Sequence, residues 1–137
     1  KGCKLSIIWT INPVTYAGVN SMTEALRSRF IGSVWGYPSN NDMSSVVDWT
    51  DIDEITIKNP LLTLAQDIYA LKLKGDVEYA LSIRDLVQFT HHYREIQDEI
   101  KKPLEVALNE VVMIKFSEPA ERELIRLRIE DTFDVKL

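Results

Sequence analysis

Three polar residues in this chain occupy places where local geometry can hold them against a phosphate: Asn12, Arg29 and Arg84. Asn12 directly follows LSIIWTI, residues 5 to 11, an unbroken apolar and β-branched run of the kind that forms a strand buried on both faces. Pro13 ends that run, because a proline has no N–H to give to a ladder. The carboxyl edge of a buried parallel strand is where ligands bind in open sheets. An amide there orients a water or a phosphate oxygen without titrating. The plainer reading of Asn12 is a turn-forming Asn before proline, and the local sequence alone favours it.

Arg29 closes the helix-forming stretch ALRSRF beside Phe30, an apolar anchor for its backbone. A firmly held guanidinium there can neutralise charge on a transferring phosphoryl group. It can equally do no more than complement a helix dipole. Arg27 lies two residues away on another side of the helix and is the secondary candidate. Arg84 follows Ser82 in LSIRDLVQF, in the first turn of a helix, where the dipole favours anions over cations. A shared anion would explain a cation at that position. Pairing with Asp85 or Glu78 would explain it as well.

The elements that must position these residues fall into two groups. Residues 5–11 and 30–36 read as strands, separated by a helix opened at Ser21 with the Ser21-to-Glu24 spacing of a capping box. A short helix is expected over 42–49, and the acidic segment 50–59 reads as a connector. From Asn59 onward the pattern is helical four times over. Asn59-Pro60 supplies an N-cap and a first-turn proline, Leu61, Leu64, Ala65 and Ile68 share a face, and Gly75 ends the helix. Ser82 and Asp85 form a second capping box, with Leu86, Phe89, Tyr93 and Ile96 behind it. Leu104, Ala107, Leu108, Val111 and Val112 match the helical template fully. Ser117 with Pro119 opens the last helix, along which Ile125, Ile129 and Phe133 recur. The expected fold is mainly α with a small α/β piece over 1–57 and a helical module over 58–137.

The totals constrain the function. A chain of 137 residues with 45% apolar and 27% charged residues suits one soluble globular domain. A net charge of −5 makes nucleic acid an unlikely partner, since such binders carry a basic face. No apolar run reaches the roughly 20 residues that span a bilayer. Cys3 has no second cysteine to pair with, so a reducing cytoplasmic setting is expected. The chain starts at Lys1 and enters a strand almost at once, which reads as a piece of a longer protein. His91 and His92 are neighbours without a shared face, and no metal site is expected of them. Trp9, Trp35 and Trp49 read as packing residues, because no basic interleaving accompanies them. The mixed stretch ERELIRLRIED reads as a solvated helix with i, i+4 pairs, with the option of facing a second subunit. Tyr16 and Gly18, after Asn12, read equally as a flexible turn or as a contact loop.

Taken in order, IIWTINP, YAG, MTEALRSRF and, some 50 residues later, LSIRDLVQF resemble the AAA+ ATPases. The nearest branch is the MoxR and dynein-related one, which includes the NorQ/CbbQ-like proteins. The resemblance spans essentially the whole chain, with motifs at 7–30 and 81–89. It implies a truncated P-loop NTPase αβα core of about two strands, followed by a four-helix lid. By the same resemblance Asn12 corresponds to sensor 1, Arg29 to the arginine finger and Arg84 to sensor 2. The implied activity is ATP hydrolysis, with ATP and Mg²⁺ as cofactors. It would act through a ring, commonly a hexamer, that remodels or chaperones a protein client. The sequence departs from the family in having no G-x-x-x-x-G-K-[ST] and no strand ending in an acidic pair, so this segment alone is expected neither to bind ATP tightly nor to hydrolyse it. That absence keeps a second reading open, a non-catalytic helical interaction module with an AAA+-like lid.

Overall fold

The computed structural model describes residues 36–137. The strand expected over 5–11, the helix at Ser21 and all but the last residue of the strand expected over 30–36 lie outside them. So do Cys3, Trp9, Asn12, Tyr16, Gly18, Arg27, Arg29 and Trp35. The described residues are mainly helical and contain no strand, and Gly36–Leu137 forms one compact unit.

The first helix, α1, runs Asn40–Val46 rather than over 42–49. It starts early because Ser39 caps it: Ser39 Oγ accepts from the Asp42 N–H, and Asp42 Oδ2 accepts from the Ser39 N–H at 3.0 Å. The S-x-x-D spacing was present in the sequence and outweighs the polarity of Asn40 and Asn41. At the other end Trp49 Nε1 donates to the Ser44 carbonyl at 3.1 Å, while Lys58 Nζ lies 5.9 Å from the Trp49 ring centre. Trp49 therefore packs against the core with its one donor satisfied.

Of the segment 50–59 only residues 50–53 connect; the rest is helical. Asp53 caps a widened π turn, Glu54–Lys58, that runs unbroken into α2, Asn59–Lys74. The Asp53 carboxylate accepts from the N–H groups of Ile55 and Thr56, and Asn59 is helical rather than the cap. The cause is Pro60. Its ring presses on the carbonyl four residues back, and it has no N–H to donate. Bonds lengthened to i→i+5, Lys58 N–H to Asp53 O at 2.9 Å and Asn59 N–H to Glu54 O, carry the helix past that obstacle. Gly75 ends α2 as expected, at φ 84°, with its N–H on the Lys72 carbonyl and the Asp76 N–H on the Leu71 carbonyl.

Helix α3, Ile83–Ile96, carries the expected stripe, with Leu86 and Phe89 fully buried and Tyr93 and Ile96 packed at the margin. Arg94 on this helix fastens the turn at 48–50, donating from Nε to the Thr50 carbonyl at 2.8 Å and pairing with Asp48 at 3.3 Å. Helix α4, Pro103–Ala107, continues as a π turn, Leu108–Val112, and a 3₁₀ turn, Met113–Lys115. That uneven winding buries Val111, Val112 and Met113 in succession, and Phe116 after them.

The last helix, α5, is Pro119–Phe133, and its N-cap is Glu118 rather than Ser117. Pro119 occupies the first helical position and forces the residue before it into an extended conformation, which places Ser117 one step too early. Arg122 of α5 donates to the carbonyls of Met113 and Phe116, closing the end of the preceding 3₁₀ turn. The four longer helical segments and α1 share one core. Met43, Val47, Ile52 and Ile57 from residues 36–57 are buried in it together with Leu64, Ile68, Phe89, Leu108 and Ile125. The expected division at 57/58 falls within this unit.

Candidate functional site

Of the phosphate-facing candidates, the described residues include Arg84 alone; Asn12, Arg27 and Arg29 lie outside them. Arg84 is exposed in the first turn of α3 and makes no hydrogen bond or ion pair with any described residue. Pairing with Asp85 or Glu78 is thus not what holds it. Asp85 is occupied otherwise, and the Glu78 carboxylate makes no ion pair among the described residues.

The turn that carries Arg84 is fixed from beneath by Asp85, which is only 3% exposed. Its Oδ2 accepts from the Tyr79 hydroxyl at 2.6 Å and from the Ser82 N–H and Oγ at 2.7 Å each. Its Oδ1 meets Lys115 Nζ at 3.0 Å, an ion pair across 30 residues of chain (115 − 85). Burial pushes the Asp85 carboxyl upward, but the hydrogen bonds from Tyr79, Ser82 and Lys115 outweigh it and hold the group below the usual range. The capping box was evident from spacing. The Tyr79 and Lys115 partners were not, because nothing local signals a contact between distant segments.

Aromatic rings back this cluster. Tyr79 packs edge-on to Phe116 with centroids 6.1 Å apart. Tyr37 stacks on Tyr69 at 4.1 Å and donates its hydroxyl to the carbonyls of Leu81 and Ala65. Burial, and then the nearby Asp85 charge, raises the Tyr37 phenol well above its ordinary range, so it stays a donor at any physiological pH. Leu81, the residue before the cap, is thereby tied to α2 through Tyr37.

The carboxylate caps yield a pH prediction. Asp85 sits below its ordinary range. Asp42 does so through hydrogen bonds from Ser39, and Asp53 through those from Thr56. A carboxyl whose folded pKa is depressed stabilises the fold above its unfolded pKa, near 3.9, and loses that contribution as pH falls through the folded value. Melting temperature should therefore hold nearly level from about pH 7 to 5 and fall steadily below about pH 4. Asp85→Asn should flatten that acid decline, and an unchanged decline would show that the carboxylate is not one of its sources.

Two other candidate regions are engaged in ion pairs. His92 Nε2 lies 2.7 Å from Glu110 Oε2, and on α5 Arg126 pairs with Glu123 at 2.7 Å and Glu130 at 2.6 Å. Two open grooves of about 360 and 390 Å³ flank the fold. Arg122, Arg126 and Leu137 help to line the first; Asn40, Glu54 and Lys58 help to line the second. Among the described residues no group of three or more metal-ligating side chains converges, and no helix is long and apolar enough to cross a membrane.

These residues do not by themselves fit Mg²⁺ and a nucleotide. They offer one free guanidinium at a helix start, without a glycine-rich loop, its lysine or a strand that ends in an acidic pair. Compared with protein-family models, with curated proteins and with solved structures, the chain matches none of them.

Proposed function

We propose that this chain is the sensor-1-to-lid portion of an AAA+ ATPase of the MoxR and dynein-related kind. In the longer protein it would serve a ring, of hexamer type, that uses ATP to remodel or chaperone a protein client in the cytoplasm. The observation that carries the reading is Arg84. It is an exposed guanidinium without a partner among the described residues, set in a helix turn where the dipole calls for an anion. The order of Asn12, Arg29 and Arg84 along the chain supports it, as does the run of four helical segments after residue 53. In this reading Asn12 aligns the reacting groups, Arg29 reaches a neighbour's site and Arg84 meets phosphate from the helical module. The P-loop would be contributed by chain outside these residues, and no step is assigned through ATP to the residues described.

A finger supplied in trans makes activity depend on assembly. ATP hydrolysis per chain by the longer protein is expected to rise with protein concentration until rings are complete. Hydrolysis per chain that is independent of concentration would sink the ring. No hydrolysis at all would favour the second reading, a helical interaction module without catalysis, which the absent P-loop motif supports.

A further inference from the structure

The sequence uses the same capping device twice, and the two copies differ in one respect that bears on Arg84. Ser39 and Asp42 form an exposed box, and among the described residues the Asp42 carboxylate accepts from Ser39 alone. In the box of Ser82 and Asp85 the carboxylate is buried although Ser82 is exposed, and Asp85 takes two further partners, the Tyr79 hydroxyl and Lys115 Nζ. A desolvated carboxylate requires such compensation, whereas an exposed one is served by water. The nearest cation in the sequence is Arg84, one residue away. Neighbours at i and i+1 diverge on a helix, and Arg84 stays in solvent. The compensating charge comes instead from the 3₁₀ turn Met113–Lys115, whose end Arg122 of α5 closes.

We propose that Lys115 is a positioning residue for Arg84: by neutralising Asp85 from beneath, it leaves the whole Arg84 charge available to a phosphate ligand. This rests on the reading of Arg84 as a phosphate-meeting residue. Asp85 and Lys115 cancel, so the field at the start of α3 is that of Arg84 plus the helix dipole. Without the Lys115 charge, Tyr79 and Ser82 still donate to Asp85 and keep it ionised. Its negative charge then subtracts from that of Arg84 and repels an incoming anion.

The test is ATP affinity, measured by calorimetry on the intact longer protein carrying four versions of this segment. Arg84→Ala should weaken binding by about tenfold or more. Lys115→Gln, which retains a hydrogen-bond donor for Asp85 but no charge, should weaken it by about 3- to 10-fold. Lys115→Gln combined with Asp85→Asn removes both charges and should return affinity to within about twofold of wild type. A merely structural role predicts the reverse order, with the double variant the worst of the set. Weakening by Arg84→Ala without weakening by Lys115→Gln overturns the inference, and so does a double variant no better than Lys115→Gln. No ATP binding by the wild-type protein, or an Arg84→Ala variant that binds normally, overturns the reading of Arg84 itself and this inference with it.

Discussion

Arg29→Ala in the intact protein is expected to lower ATP turnover by about 10³- to 10⁵-fold while leaving ATP affinity nearly unchanged. The size follows from the role proposed for Arg29. A finger arginine meets charge that builds up in the transition state, so its loss is felt in turnover far more than in binding. Asn12→Ala should also abolish turnover, but by acting in its own subunit's site. The two can be told apart by mixing. Arg29→Ala chains spoil a neighbour's site and Asn12→Ala chains spoil their own, so a ring alternating the two variants should recover part of the activity. Arg27→Ala is the control, since the two-residue spacing from Arg29 sets it apart from the proposed finger and it should matter much less. Normal turnover in both Arg29→Ala and Asn12→Ala would end the AAA+ reading.

The largest effect expected on stability is Phe89→Ala, at about 3 to 5 kcal/mol. Phe89 is fully buried and lies nearly parallel to Tyr93, with centroids 6.2 Å apart. Truncation forfeits the transfer of the ring from water and leaves a void that surrounding side chains fill only in part. Against a typical domain stability of about 5 to 15 kcal/mol, that is enough to leave a substantial unfolded population under mild denaturant. Leu127→Ala is the matched control, because Leu127 is 51% exposed and its loss should stay within about 0.5 kcal/mol. Urea unfolding of both variants decides the matter. A Phe89→Ala midpoint close to that of Leu127→Ala would mean that this core is not packed around Phe89.

What the residues announced in advance, and what they did not, divides along a physical line. Helix faces were evident from spacing, because burying one stripe dictates the identity of every third or fourth residue. Leu64, Ala65 and Ile68, and later Ala107, Leu108 and Val111, all fall in the core as the pattern requires. Helix starts were less secure wherever proline stands near. The Asp53 cap set a start upstream of Pro60, with the turn widened to pass that proline, and Pro119 shifted a cap from Ser117 to Glu118 by holding the residue before it extended. Long-range pairs were invisible. Tyr37 reaching the Leu81 carbonyl and Lys115 reaching Asp85 are joined by folding, and no local period encodes them. Arg84 stands against its helix dipole, and the structure leaves it exposed in that turn.

The widened turn at Leu108–Val112 has a bearing on how this chain tolerates changes of length. Inserting or deleting a residue inside a regular helix rotates everything beyond it by about 100°, which would swing an apolar stripe such as that of α2 out of the core. Leu108–Val112 already holds the surplus residue, with the Met113 N–H reaching back five positions to the Leu108 carbonyl. Removing the exposed Asn109 would let those bonds shorten to ordinary α-helical ones, leaving Phe116 and α5 near their present bearings. The chain can thus lose a residue in mid-helix, where most helices allow such a change only in the loops at their ends.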